Sequence, residues 1–160
     1  MSTLVLYFSL EGNTKFVAGR IAETLHADTI ALNPSKKYPD KGFQKYLWGG
    51  KGVLFGEQPE LTNDPINLDA YDTIILGTPV WAGSYAPPLN TFLHQYKVEG
   101  KRIALFACHG GGGAQKCFQK LKELMPNNEW IGEIDFVDPL KHNPEEHSKK
   151  AVKWAAGLAV

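Results

Sequence analysis

The sequence predicts an α/β protein in which a parallel sheet is covered by helices on both faces, giving three layers. Apolar runs typical of strands alternate along the chain with amphipathic stretches at helical spacing. The central runs are apolar at nearly every position, as expected of strands covered by helices on both sides. Three of the runs end in a polar or glycine-rich loop that leads into a helix. Because ligands of doubly wound sheets bind at the carboxyl ends of the strands, these loops form the candidate binding site.

The first strand and the first helix flank a loop suited to a phosphate group. An apolar run over 3–8 precedes a helical pattern over 14–25. The loop between them offers two hydroxyls, an amide, a glycine that can take positive φ, and the unpaired N–H groups of a helix N-terminus. Its candidate residues are Ser9, Leu10, Glu11, Gly12, Asn13 and Thr14.

Two phosphate-binding motifs are absent from this loop, and their absence argues against some classes of phosphate ligand. It has neither the lysine of a Walker A motif nor a GxGxxG pattern, so a nucleoside triphosphate and a dinucleotide are poorly supported. A phosphomonoester fits better. The alternative is a turn capped by serine and threonine that binds no ligand.

The segment after the second strand is irregular and carries sorted charges. A short strand over 28–32 is followed by a stretch over 35–72 that is rich in glycine and proline, within which we predict a short helix over about 41–48. Lysines come first, at 36, 37, 41, 45 and 51, and only acidic residues follow up to 72. This sorting is typical of two solvated faces, and a docking patch for a charged partner is the alternative.

Two further strands end in loops suited to a planar ring. The run over 72–77 leads into a loop in which Trp81 and Tyr85 can present aromatic faces, and a helix starts at Pro87-Pro88. The candidate residues of this loop are Thr78, Pro79, Val80, Trp81, Ala82, Gly83 and Tyr85. The run over 102–107 leads into a loop whose glycines allow backbone N–H groups to approach a ring edge. Its candidate residues are Cys108, His109, Gly110, Gly111 and Gly112.

The last strand and the last helix complete the alternation. A strand over 130–137 places Glu133 and Asp135 on one face and apolar residues on the other, a pattern that suits the edge of a sheet. The last helix is predicted to begin with Asn143 as N-cap and a proline at its first position, with Glu146 completing a capping box. Its predicted inner face consists of Val152, Ala155, Ala156 and Ala159.

Length, charge and cysteine content restrict the class of protein. The chain has 160 residues, which we interpret as a single domain over 1–160 that can bury a full core. It carries 17 basic and 17 acidic side chains, so no overall charge favours nucleic acid or an anionic membrane. No stretch reaches the roughly 18 apolar residues of a membrane span, and we expect a cytoplasmic protein. Cys108 and Cys117 lack CxxC spacing and are expected to be free thiols.

The three loops are expected to meet at one edge of the sheet, because they follow the first, third and fourth strands. No Asp, Glu, Lys or Arg occurs in 73–96 or 103–115, so two of the loops would form uncharged walls. A phosphate at one end and a flat aromatic system at the other describe flavin mononucleotide (FMN). Taken singly, Trp81 is explained as a core aromatic, the glycines as a flexible turn and His109 as an ordinary histidine; together they favour the FMN site.

The same three loops resemble those of the flavodoxin family, of the short-chain type with a Thr-Pro-Val-Trp-Ala-Gly second loop. The resemblance extends over essentially the whole chain and rests on 9–14 as the phosphate loop, 78–83 as the isoalloxazine loop and 108–112 as the third loop. It implies five strands in the order 2-1-3-4-5 and noncovalent FMN. It also implies that the phosphate is held by Ser9, Gly12, Asn13 and Thr14, that the ring is lined by Pro79, Val80, Trp81 and Ala82, and that its other side is closed by Gly110, Gly111 and Gly112.

The resemblance further implies a low-potential one-electron carrier, a monomer that works between redox partner proteins, a reductase and an acceptor. An FMN-dependent NAD(P)H:quinone or flavin oxidoreductase is the alternative, with Trp81, Tyr85 and His109 lining a substrate cavity. A third hypothesis is an interaction module that binds no flavin. The neutral charge departs from the family pattern, because electron-carrying flavodoxins are usually strongly acidic. We therefore expect uncharged walls and a nearby His109 to raise the second reduction potential relative to an acidic flavodoxin.

Overall fold

The computed structural model describes residues 2–39, 53 and 56–160 of the chain. Within these residues the chain forms six strands, four α-helices and one 3₁₀ turn over Leu68–Ala70. The strands are β1 Thr3–Tyr7, β2 Asp28–Ala31, β3 Thr73–Trp81, β4 Ser84–Tyr85, β5 Arg102–His109 and β6 Glu129–Val137. The helices are α1 Asn13–Leu25, α2 Pro87–Gln95, α3 Gln115–Leu124 and α4 Pro144–Ala156.

The strands form one sheet in the order β2-β1-β3-β5-β6, and all neighbours along this path are parallel. The predicted order 2-1-3-4-5 is confirmed, because the five predicted strands are β1, β2, β3, β5 and β6, with β6 at an edge. One strand was not predicted. β3 continues to Trp81, turns through Ala82-Gly83 and pairs with β4 in antiparallel fashion, where the sequence predicts only a loop.

Helices cover both faces of the sheet, so the predicted three-layer α/β/α architecture is confirmed. Phe92 of α2 and Leu121 of α3 belong to one buried cluster, whereas Ile21 of α1 and Ala155 of α4 belong to a second cluster on the opposite face. Each cluster includes side chains from alternate positions of β1, since successive residues of a strand point to opposite faces. Among the described residues, no helix combines the length and the hydropathy needed to cross a bilayer.

The start and the inner face of the last helix differ from the prediction. α4 begins at Pro144 with Asn143 as N-cap, but Asn143 has φ 52° and its side chain makes no capping hydrogen bond, so the predicted capping box is wrong. A capping side chain requires an extended N-cap backbone, which a left-handed residue does not provide.

The inner face of α4 also differs from the prediction. Ala151 and Ala155 are buried, while Val152 is 41% exposed and the other two predicted residues, Ala156 and Ala159, are exposed. Alanines on two sides of this helix made the pattern ambiguous.

The charge-sorted segment is described only in part. The predicted helix over 41–48 and the lysines at 41, 45 and 51 lie outside the described residues. Lys36, from the basic half, forms an ion pair with Glu57, from the acidic half. This pair joins the two halves within the chain itself.

Candidate functional site

A cavity of about 400 Å³ lies at the carboxyl ends of β1, β3, β5 and β6. Half of the predicted site residues line it: Ser9, Leu10, Glu11, Asn13, Thr14, Pro79, Cys108, His109 and Gly110. Three residues that follow β6 also line it: Asp138, Leu140 and Lys141. The structure therefore brings the first and third loops together, as expected of loops at the ends of neighbouring parallel strands.

The loop over 9–14 presents backbone donors to this cavity. Gly12 has φ 101°, a conformation that favours glycine, and its carbonyl accepts the hydrogen bond of Phe16 N–H that starts α1. Ser9 Oγ accepts the N–H of Lys15 at 3.1 Å. The N–H groups of Asn13 and Thr14 have no hydrogen-bond partner among the described residues. They are the free donors of a helix N-terminus, which carries partial positive charge and attracts anions.

Thr14 adds an unsatisfied hydroxyl to this loop. The residue is buried, with 1% of its surface exposed, and Oγ1 has no hydrogen-bond partner among the described residues, although it lies beside the Cys108 thiol. A buried hydroxyl without a partner costs about 1–3 kcal/mol in a folded protein. A phosphate oxygen in the cavity would satisfy the same group, so the residues present fit a phosphomonoester.

The third loop is folded around the side chain of His109. Nε2 lies 2.6 Å from Asp135 Oδ2, while the N–H groups of Gly111 and Gly113 donate to Nδ1 at 3.0 and 3.2 Å. The side chain is 6% exposed. Gly110, next in the chain, lines the cavity. The imidazole at the start of the third loop therefore binds two backbone N–H groups of the same loop.

Neither thiol is activated. Cys108 and Cys117 are both buried and unbonded, which confirms the prediction of free thiols. Burial raises the pKa of each thiol to about 12. Both side chains are therefore protonated at neutral pH, and Cys108 contributes a small apolar surface to the cavity rather than a nucleophile.

The second loop forms a hairpin whose contacts are mostly internal. Thr78 Oγ1 accepts the N–H of Ala86 at 2.9 Å and lies 2.8 Å from the carbonyl oxygen of Pro79, to which it donates. The ring of Trp81 packs edge-on against Phe8, at 5.7 Å between centroids, and against Tyr38, at 5.3 Å. Thr78 thus fixes the hairpin, and two aromatic neighbours fix the indole.

The remaining predicted residues do not line the 400 Å³ cavity. They are Gly12, Thr78, Val80, Trp81, Ala82, Gly83, Tyr85, Gly111 and Gly112. Tyr85 lines a separate, smaller cavity, where its hydroxyl donates to Asn90 Oδ1 at 3.2 Å and where burial raises its pKa. The cavity therefore lies at the loop predicted to hold the phosphate, and most of the loop predicted to bind the ring lies outside it.

Comparison with known proteins assigns the family. The sequence model of the flavodoxin family matches residues 2–138. The chain belongs to the flavodoxin family. A Bacteroides uniformis ATCC 8492 protein assigned as a flavoprotein is 23% identical, with a TM-score of 0.78 over 96% of each chain. A flavoprotein from Lactobacillus acidophilus NCFM in complex with FMN is 24% identical, with a TM-score of 0.73 over 88% of this chain and 96% of that one. The apo form of the Lactobacillus acidophilus NCFM flavoprotein is 27% identical, with a TM-score of 0.63 over 88% and 95%.

The segment after β6 also lines the cavity, although none of its residues was among the candidates predicted from the sequence. Leu140 N–H donates to Asn13 Oδ1 at 3.1 Å, and Leu140 Cδ1 lies so close to Gly12 that a Cβ there would approach it to 3.3 Å. The signal was available, since Asp138-Pro139 directly follows a strand and the carboxyl-end rule applies to it as well. Asp138 and Lys141 bring charges to the cavity, and Asp135 lies behind His109. The two loops expected to form uncharged walls carry no charged side chain of their own, but these three residues of another segment bring charges near them.

Proposed function

We propose that the chain is a single FMN-binding domain that passes single electrons between partner proteins as a monomer. The observation that carries the proposal is the loop over 9–14, where the free N–H groups of Asn13 and Thr14 lie beside an unsatisfied buried hydroxyl. The FMN complex of the Lactobacillus acidophilus relative supports FMN as the cofactor. The cavity volume of about 400 Å³ falls within the ~300–1,000 Å³ of small-molecule sites.

The phosphate end of FMN would be held mainly by backbone. Asn13 and Thr14 supply N–H donors and the α1 N-terminus supplies partial positive charge, and both favour a dianion. Thr14 Oγ1 supplies a hydroxyl donor. Ser9 Oγ, by accepting the N–H of Lys15, keeps the first turn of the helix in place.

The ring end would be held by the second and third loops. Gly110 lines the cavity beside Pro79, and Gly111 and Gly112 follow it in the third loop. Trp81 is held in one orientation by Phe8 and Tyr38, so it can pack on a ring with little loss of side-chain entropy. When bound, FMN supplies one-electron chemistry, and the protein's task is to hold the ring, limit water and leave one edge accessible to a partner.

The experiment that tests this proposal compares FMN with riboflavin, which lacks the phosphate. Thr14→Val removes the hydroxyl and keeps the shape, so we expect the Kd for FMN to rise by about tenfold or more, because hydrogen bonds to charged groups contribute about 1.5–3 kcal/mol. The Kd for riboflavin should change little. Fluorescence quenching measures both.

Thr24→Val is the matched control, since Thr24 lies in the same helix and its hydroxyl donates to Arg20 O at 2.8 Å, away from the cavity. It should leave the FMN Kd unchanged. A wild-type protein that quenches neither FMN nor riboflavin would refute the proposal and favour an interaction module without flavin.

One observation favours an FMN-dependent NAD(P)H:quinone or flavin oxidoreductase as the second candidate. The chain has 17 acidic and 17 basic side chains, and so lacks the acidic excess with which a carrier would attract basic partners. NADPH added to the FMN-loaded protein without a reductase distinguishes the two candidates. Rapid bleaching of the flavin would identify the oxidoreductase, and an unchanged spectrum would favour the carrier.

A further inference from the structure

Both ring nitrogens of His109 are engaged, and the side chain is almost fully buried at 6% exposure. Nε2 faces Asp135 Oδ2 at 2.6 Å on the neighbouring edge strand. Nδ1 faces two backbone N–H groups, those of Gly111 at 3.0 Å and Gly113 at 3.2 Å. The chain thus turns back after β5 so that two of its own amides converge on one ring nitrogen.

These partners determine the tautomer of the imidazole. A backbone N–H can only donate, so Nδ1 must accept from Gly111 and Gly113 and carries no proton. The ring proton is therefore on Nε2, where it is donated to the Asp135 carboxylate. Asp135 selects the one tautomer that can hold the loop.

A bulge in β6 brings the two side chains to the same face of the sheet. Ile103 pairs with Trp130, whereas Ala104 pairs with Gly132, so β6 has one extra residue at this point. Beyond the bulge His109 pairs with Val137. Asp135 lies two residues before Val137 on β6, so its side chain is on the same face of the sheet as those of Val137 and His109. Without the extra residue Asp135 would point to the opposite face.

The glycines of the loop allow its amides to reach Nδ1. Gly111 has φ 131° and Gly113 has φ 86°, and side chains at these positions would be strained. Both glycines lie in the segment between His109 and the start of α3. These glycines therefore allow the loop to hydrogen-bond the imidazole, in addition to allowing its backbone to approach a ligand closely.

We propose that His109 is a positioning residue that holds the third loop as a hydrogen-bond acceptor, and that Asp135 acts through His109 by fixing its tautomer. The loop so held brings Gly110 to the cavity wall. The consequence for FMN affinity rests on the proposed function, whereas the state of the loop can be measured in the FMN-free protein. The position of the loop therefore also depends on Asp135, although Asp135 does not line the cavity.

Two variants separate the acceptor role from a space-filling role. His109→Asn retains an oxygen acceptor near the place of Nδ1 and loses the contact with Asp135, whereas His109→Gln retains a polar group near the place of Nε2 and loses the acceptor for the loop. Gln is closer to His in size. An acceptor role predicts that Asn replaces His109 better than Gln does, and a space-filling role predicts the reverse order.

Asp135→Asn and Asp135→Leu test the tautomer. Asn can still accept the Nε2 proton through its amide oxygen, while Leu cannot, so only Leu should free the ring to adopt the other tautomer. Glu133→Gln is the matched control on the same strand and face, because Glu133 pairs with Lys122 at 2.6 Å rather than with the loop. It should have no effect on the loop.

The first measurement is ¹⁵N NMR of the His109 ring and amide hydrogen exchange of Gly111 and Gly113 in the FMN-free protein, followed by FMN titration of each variant. We expect an unprotonated Nδ1, protected glycine amides, and an FMN Kd about tenfold weaker (about 1.4 kcal/mol) for His109→Gln than for His109→Asn, since His109→Gln loses both hydrogen bonds to the loop. A protonated Nδ1, or unprotected glycine amides, would overturn the proposal whether or not FMN binds. A held loop in a protein without FMN affinity would refute only the proposed function.

Discussion

Gly77 of β3 lies against the ring of Phe106 in the paired position of β5, so closely that a Cβ at Gly77 would come within 2.0 Å of Cζ. Phe106 is fully buried, and the ring occupies the space that a side chain at Gly77 would need. This contact lies one residue before Thr78, which fixes the second loop. Packing of the two central strands therefore leaves no room for a side chain at Gly77.

Gly77→Ala is expected to destabilise the protein by about 3 kcal/mol, because a rigid, buried ring must move to admit the methyl group. Gly19→Ala is the control. Gly19 lies within α1 with no atom within 4 Å of an added Cβ, so this change should stabilise by about 1 kcal/mol. Urea unfolding measures both. Equal effects of the two substitutions would contradict the packing argument.

The turn of the hairpin contains an alanine in a conformation that suits asparagine or glycine. Ala82 has φ 49° and Gly83 has φ 71°, as in a two-residue type I′ turn, for which Asn-Gly is the preferred sequence. Ala82→Asn is expected to raise the free energy of unfolding by about 1 kcal/mol, since alanine is strained there. Thermal unfolding measures the gain. A lower melting temperature would count against the turn assignment.

The two buried thiols predict a loss of stability at alkaline pH. Burial raises the pKa of Cys108 and Cys117 from 9.0 to about 12, so above pH 9 the unfolded chain releases these protons while the folded chain keeps them. Their contribution is fully present below pH 9 and is lost as pH rises toward 12, at about 1.4 kcal/mol per pH unit for each thiol. Cys117→Ala should reduce the slope of unfolding free energy against pH by that amount. Parallel slopes for the variant and the wild type would contradict the prediction.

Lys141 is expected to strengthen FMN binding through the phosphate, because it lines the cavity beside the loop over 9–14. Lys141→Gln should weaken FMN up to about fivefold at low salt, less at high salt, and leave riboflavin unaffected, as expected of an exposed charge. Lys149→Gln, an exposed lysine of α4, is the control. An equal loss for FMN and riboflavin would place Lys141 away from the phosphate.

The sequence predicts the five strands of the parallel sheet and the three loops because long apolar runs and glycine-rich ends are local signals, whereas the order of the strands was implied by the resemblance to flavodoxins. The contacts that complete the site are not local. The pair of His109 and Asp135 depends on the bulge in β6, which shifts register by one residue and leaves no mark in the alternation of apolar residues. The tether of Leu140 to Asn13 joins residues 127 positions apart. The hairpin was missed because alanine at a turn position is a weak signal.

An anaerobic dithionite titration of the FMN-loaded protein, followed by visible absorbance, shows whether the protein takes up the two electrons of the flavin one at a time. If the chain is a one-electron carrier, a long-wavelength band should rise until about one electron per flavin has been added and then disappear as the second is added. A direct change from oxidised to fully reduced flavin, with no such band at any point, would contradict the carrier and favour a two-electron oxidoreductase.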